Sequence, residues 1–210
     1  MKQSLQSLIM QLQKPLPGIE SHKSFYPYRF KDENSIDFST FRKAVVGIHV
    51  FQSEDGLSIL LIERSEYDGT HSKQIAFPGG KVDATDHSSE FTARRESFEE
   101  VAIPLDAGEV IGQLTEVNIP VSKFNVIPFV FYHENLPELK KNEREVNEIL
   151  TIRFSDLLND QFKTITSIRI NKQVIMPNVP CFIINEKIIW GATALILNEL
   201  KLICKEAWGY

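Results

Sequence analysis

Several things are scarce or missing in this chain of 210 residues, and each absence removes a class of function. There are two cysteines, Cys181 and Cys204, far apart and in no CxxC pair. That argues against a disulfide framework and predicts two buried thiols in a reducing compartment. No apolar run reaches the length of a membrane span. The N-terminus is too rich in Gln for a secretory leader, so a soluble, cytoplasmic protein is expected. With a formal charge of −5, the chain carries no basic stripe, which argues against nucleic acid as a partner. No G-x-x-x-x-G-K-[ST] loop occurs, which excludes that type of NTPase. His22, His49, His71, His87 and His133 fall at no metal-ligand spacing, and only His71 lies near the stretch described next. What is present is a 42% hydrophobic content, enough for a core.

The informative stretch runs from Phe77 to Ile103. It opens on the turn Pro78-Gly79-Gly80 and closes on Arg95-Glu96-Ser97-Phe98-Glu99-Glu100. Asp86, Ser88 and Ser89 offer side-chain oxygens for a helix cap, and Glu90 suits the positive end of the dipole. Pro104 disfavours helical geometry at Ile103 and ends the segment. The pattern predicts a loop and then a helix of about four turns. At roughly 100° per residue, Glu96, Glu99 and Glu100 share one face. Phe91, Phe98 and Val101 take the opposite side, which is expected to pack on the core. Arg94 falls among them, with Glu90 four residues back as its partner. Glu96 and Glu100 repel each other at i,i+4, and only Glu99 has a cation at that spacing, Arg95. A self-repelling stripe of hard oxygen donors suits Mg²⁺ or Mn²⁺ rather than zinc. The plainer reading is a solvated acidic face.

This stretch resembles the Nudix box, G-x5-E-x7-R-E-U-x-E-E-x-G-U with U aliphatic. Gly80, Arg95, Glu96, Glu99, Glu100 and Ile103 match, and Asp86 stands at the first Glu. Eight residues rather than seven separate Asp86 from Arg95. Ser97 replaces an aliphatic, and Ala102 replaces the glycine, which predicts loss of the left-handed cap. The resemblance implies an α/β fold, the Nudix α/β/α sandwich around a mixed β-sheet. It implies hydrolysis of a nucleoside diphosphate linked to another group, with a divalent cation held by Glu96, Glu99, Glu100 and the Gly79 carbonyl. Arg95 would orient Glu99. Glu96 and Glu99 are the general-base candidates within the box. Glu116, Glu145 and Glu148 lie outside it and read as ordinary surface carboxylates.

The preceding loop is similar to the signature of the coenzyme A pyrophosphatases, L-L-T-x-R-S-x3-R-x3-G-x3-F-P-G-G. Leu60, Leu61, Arg64, Ser65, Phe77, Pro78, Gly79 and Gly80 fit at the correct spacing. Ile62, Gly69 and Lys73 depart from it. Pro120-Val121-Ser122, Phe124 and the Pro128-Phe129-Val130 run are similar to the same subgroup, as is Ile189-Trp-Gly-Ala-Thr193. By this resemblance Arg64, Ser65, His71 and Lys73 bind a coenzyme A-like substrate. Arg64 also has a structural reading, paired with Asp83 or Asp86. Alternatives are another nucleoside diphosphate derivative such as ADP-ribose or NADH, or a non-catalytic nucleotide-binding module. Oligomeric state stays open, a homodimer included.

In chain order, Leu5, Leu8, Ile9 and Leu12 predict an N-terminal helix. Residues 20–40 read as an extended arm over the surface, so 1–40 forms helix and arm, and 41–210 the Nudix domain. Strands are expected over Lys43–Phe51, Leu57–Glu63, Glu109–Val117, Val126–Tyr132 and Ile149–Arg153. Asn118–Asn125 reads as a loop and Phe154–Leu158 as a helical turn. Strands around Cys181–Ile184 and Lys187–Trp190 precede a final helix carrying Leu195, Ile196, Leu200 and Ile203.

Overall fold

The computed structural model describes residues 2–30, 36–65, 74–170 and 174–210. Its centre is a mixed sheet built on β1 (Arg42–Ser53). β2 (Gly56–Arg64) returns antiparallel through the turn at Ser53–Gly56, and β7 (Phe124–His133) lies parallel on the other side, Val45 opposite Ile127. β3 (Ile75–Ala76) and β8 (Val146–Arg153) pair with β2. β4 (Gly79–Lys81) pairs with the start of β1. β5 (Glu109–Gln113) and β6 (Val117–Ile119) pair with β7. A second sheet, β9 (Lys163–Arg169), β10 (Ile175–Ile184) and β11 (Lys187–Trp190), leads into the last helix.

The central strands are apolar without alternation because both faces are covered. Leu60 and Ile62 pack with Val101 and Ile103 at the end of α3 (Ser89–Val101), while Val45 and Ile127 pack with Ala93 of the same helix. Ile48, Val50, Ile59 and Leu61 point the other way, into a core shared with Leu195, Leu200 and Ile203 of α5 (Gly191–Trp208). The short α4 (Phe154–Leu158) adds Phe154 and Leu157 to that core. Cys181 and Cys204 are both buried thiols, as expected.

Three sequence expectations change here. Residues 19–25 are helical rather than extended, forming α2 (Ile19–Phe25) after α1 (Lys2–Leu12). Leu8, Leu12 and Phe25 join the α5-side core. The docking is polar as well as apolar. Buried Glu199 of α5 accepts from the Gly18 N–H (3.0 Å) and from the Thr115 N–H and hydroxyl (3.0 and 2.6 Å), and Asn198 donates to the Ser21 carbonyl (2.9 Å). The second change follows from the first. Thr115 leaves the ladder to meet Glu199, so the expected strand over 109–117 breaks, and pairing resumes at Val117–Ile119 inside the expected loop. β8 also starts earlier than expected, at Val146, because Val146 and Glu148 pair with Arg64 and Glu63. No helix among the described residues is long and apolar enough to cross a membrane.

Candidate active site

The site forms where α3 lies against β4. Ser88 caps α3, accepting from the Phe91 N–H at 3.0 Å. The helix approaches the sheet through small residues, with Thr92, Ala93 and Ser97 fully buried. This overturns the expected orientation for Phe98 and Phe91, while Val101 is buried as expected. Phe98 is 52% exposed and Phe91 only half-buried, whereas Glu100 is 1% exposed. The buried arc runs from Glu96 through Glu100 to Val101, so the box is not a solvated carboxylate stripe. Small residues allow close packing, and close packing carries the neighbouring carboxylates inward.

Two glycines make room for those carboxylates. A Cβ on Gly80 would collide with the Glu96 carboxylate, and one on Gly79 with the Val45 carbonyl and Val46 backbone. The Gly79 N–H donates to Glu100 Oε2 at 2.8 Å, and Arg64 lies 3.3 Å from Glu100 Oε1. Arg64 is thus brought to Glu100, not to Asp83 or Asp86. Its Nε is buried with no hydrogen-bond partner among the described residues. Arg95 anchors the other carboxylates. It donates to both oxygens of Asp86 at 2.9 Å, to Glu96 at 2.9 Å and to Glu99 at 3.1 Å, and to the Lys81 carbonyl at 3.1 Å. The expected Arg95–Glu99 pair is present, and Asp86 is Arg95's bidentate partner.

These surroundings set the charges. Burial pushes the Glu100 carboxyl up to about 7, against the opposing pull of Arg64 and the Gly79 amide. Burial likewise raises Glu96, with Arg95 opposing. The hydrogen bonds from Arg95 hold Asp86 well below the usual carboxylate range, and Asp86 in return raises the Arg95 guanidinium. Glu145 enters from outside the box, its negative field raising both Glu96 and Glu100. Its loop is pinned to α3, since Lys140 N–H meets the Val101 carbonyl (3.1 Å) and Asn142 N–H the Glu100 carbonyl (2.9 Å). Glu145 is itself exposed, as the sequence predicts, and acts on the box carboxylates only through its field.

Four carboxylates (Asp86, Glu96, Glu99, Glu100) therefore meet two guanidinium groups, Arg95 and Arg64. The surplus of negative charge, with hard oxygen donors only, fits a divalent cation of the Mg²⁺ type. Among the described residues no three His, Cys, Asp or Glu side chains converge on a common point. Arg95 and Arg64 take up carboxylate oxygens instead, so an entering ion has to compete with guanidinium groups. Of the other expected site residues, Ser65 donates its N–H to the Glu145 carbonyl at 2.9 Å, next to the site. His71 and Lys73 lie outside the described residues.

A polar chain beneath α3 escaped the sequence reading. Ser97 donates to the Ala93 carbonyl (2.7 Å) and so accepts from His49 Nε2 (2.8 Å), which leaves His49 Nδ1 to accept from His133 Nε2 (2.9 Å). Burial lowers both imidazoles, His133 to about 4, so both stay neutral donors and acceptors. The signal was Ser97 itself, a hydroxyl in an aliphatic slot, which demands a buried partner. Arg94 lies over the Phe131 ring, 4.8 Å from its centroid, and pairs with Glu90 at 2.9 Å as expected. The Ala102 cap is not lost. Ala102 adopts the left-handed conformation (φ 60°, ψ 28°), and its N–H meets the Phe98 carbonyl at 2.9 Å.

Comparison with known proteins adds three findings. The NUDIX domain model matches residues 40–168. The Nudix hydrolase NudL of Yersinia pestis (strain Pestoides F), described as uncharacterized, is 32% identical over 192 residues, 90% of this chain and 88% of that protein. Among solved structures, the MutT protein of Methanosarcina mazei Go1 is similar at 29% identity and a TM-score of 0.44, covering 56% of this chain and 80% of that one.

Proposed function

The chain belongs to the NUDIX family and is a Nudix hydrolase, and from that premise we propose that its substrate is coenzyme A or an acyl derivative. Cleavage of the diphosphate yields 3′,5′-ADP and 4′-phosphopantetheine or its acyl form, with Mg²⁺ or Mn²⁺ as the ion. The observation that carries the reading is the signature from Leu60 to Gly80. Its Arg64 reaches Glu100 of the box, and its Gly79 donates to the same carboxylate. One stretch thus joins the subgroup signature to the acidic helix.

Glu96, Glu99, Glu100 and the Gly79 carbonyl would hold the ion. A bound divalent cation supplies charge neutralisation on phosphate oxygens and a lowered pKa for water. The chain's own residues do the positioning, which is most of what phosphoryl transfer asks of a protein. Arg95, braced by Asp86, fixes Glu96 and Glu99. Glu99 is the box glutamate most open to solvent, with its side chain 48% exposed, and takes the proton from water in this reading. Arg64, whose Nε has no hydrogen-bond partner among the described residues, receives a phosphate oxygen, and by the resemblance Ser65, His71 and Lys73 are further substrate-binding residues.

A substrate panel with Mg²⁺ and with Mn²⁺ tests the assignment. Coenzyme A is expected to exceed ADP-ribose and free nucleotides in kcat/KM by at least about tenfold, or about 1.4 kcal/mol of transition-state binding. Equal or better turnover of ADP-ribose contradicts it and leaves a Nudix hydrolase of different specificity.

A further inference from the structure

Beside Gly80, at the end of the sheet, two cations share one aromatic ring. Arg42 places its guanidinium carbon 4.4 Å from the Phe124 ring centroid, and Lys81 Nζ lies 5.8 Å from the same centroid. The register produces this. Arg42 is opposite Phe124 on the parallel β1–β7 ladder, and Ala44 is opposite Lys81 on the antiparallel β1–β4 ladder. Arg42 and Ala44 are two apart on one strand, so Arg42, Lys81 and Phe124 project from one sheet face. That face is the α5 side, since Ala44 and Phe124 pack against the α5 core.

Neither cation is ion-paired among the described residues. The Arg42 guanidinium makes one long hydrogen bond there, to the Ser122 carbonyl at 3.4 Å. The ring attracts each cation, but two like charges over one ring repel, and an anion between them removes the conflict. The position also connects to the acidic site. Lys81 follows Gly80, which abuts Glu96, and its carbonyl accepts from Arg95. Adjacent residues of β4 point to opposite faces, so the carboxylates lie on one side of this strand and the cation pair on the other. Among the described residues β4 pairs as a strand only with β1, and its other edge meets α3 side chains, the Gly79 N–H at Glu100 and the Lys81 carbonyl at Arg95.

We infer that Arg42 and Lys81, seated on Phe124, form a subsite for a phosphate monoester that the substrate carries apart from its scissile diphosphate. A monoester bears close to two negative charges near neutral pH, which suits two cations better than a sugar hydroxyl does. The inference rests on the hydrolase reading of the Glu96–Glu100 site and deepens it. In coenzyme A the 3′-phosphate and the 5′-diphosphate leave the same ribose, so one substrate can present both groups on either side of β4.

Titration calorimetry in chelator tests it apart from turnover. Adenosine 3′,5′-bisphosphate is expected to bind the wild type at least about tenfold more tightly than adenosine 5′-monophosphate. Arg42→Gln and Lys81→Gln should each shrink that margin, and the double variant should abolish it. Both side chains are exposed, so neither change empties the core. A margin retained in the double variant overturns the subsite, and so does a wild type without one. Kinetics separate this failure from that of the substrate assignment. Suppose the wild type prefers coenzyme A to ADP-ribose while the double variant keeps the full ratio of coenzyme A to dephospho-coenzyme A. Then the subsite falls and the assignment stands. If the wild type shows no such preference but the binding margin vanishes with the substitutions, the subsite stands and the assignment falls.

Discussion

At the residue scale, this helix is governed by which side chains are small. Ser97 and Ala93 let α3 approach β1, and Gly47 and Gly80 answer from the sheet. A Cβ on Gly47 would lie 2.7 Å from His49 Nε2 and 3.0 Å from Ser97 Oγ. The box glutamates were legible from spacing alone, because R-E-x-x-E-E is a local pattern. Their burial was not, since it depends on glycines some 16 to 21 positions earlier in the chain (Glu96 on Gly80, Glu100 on Gly79). Phe98 was misread for the same reason, its size outweighing the small residues that fill the actual contact. Phe98→Ala should therefore shift stability by less than about 0.5 kcal/mol in a denaturant titration. A loss of roughly 3 kcal/mol would restore the opposite orientation. Ser97→Ala should cost about 1 to 3 kcal/mol by the same measurement, because it leaves the buried His49 Nε2–H without an acceptor. A neutral result would mean that the His49–His133 pair re-forms without the hydroxyl.

The elements were read most reliably where their cause is local. β1, β2, β7 and α5 carry dense apolar runs bounded by turn residues, and each appears within a few residues of its expected place. α2 was missed because Ile19–Phe25 has little apolar periodicity of its own; its partners, Asn198 and Glu199, lie on the last helix. The break between β5 and β6 has the same origin in Glu199. At the end of α3 the chain keeps a left-handed cap with alanine where glycine is the low-cost choice. Ala102→Gly should relieve roughly 1 kcal/mol of backbone strain and raise the melting temperature. Destabilisation instead would mean that the Ala102 methyl packs for more than the strain it causes.

Over the whole molecule, one sheet separates two cores, and the acidic site sits at the margin of the α3 side. The first helix is part of the opposite core. Leu8, fully buried, should cost about 2 to 5 kcal/mol when replaced by alanine, read from the unfolding midpoint. A small effect would make residues 1–40 a detachable appendage. The architecture was legible because both-face burial leaves continuous apolar strands. The proposed substrate preference was legible only by resemblance, and the pairing of Arg42 and Lys81 over Phe124 comes from strand register, which no local spacing encodes. The buried carboxylates of α3, Glu96 and Glu100, serve chemistry at a cost in stability. Glu100 is raised from 4.5 to about 7, so its folded pKa lies above its unfolded one. The folded state then binds more protons in that window, and stability falls as pH rises through it, by on the order of 3 kcal/mol in chelator. The deciding measurement takes wild type and Glu100→Gln together, with turnover of coenzyme A in divalent cation and melting temperature in chelator from about pH 5 to about pH 8. The variant is expected to lose turnover, to melt no lower than wild type at the alkaline end, and to show a shallower downward slope, with Glu96 supplying what remains. A variant that keeps full turnover, or one that unfolds at every pH, would contradict this reading.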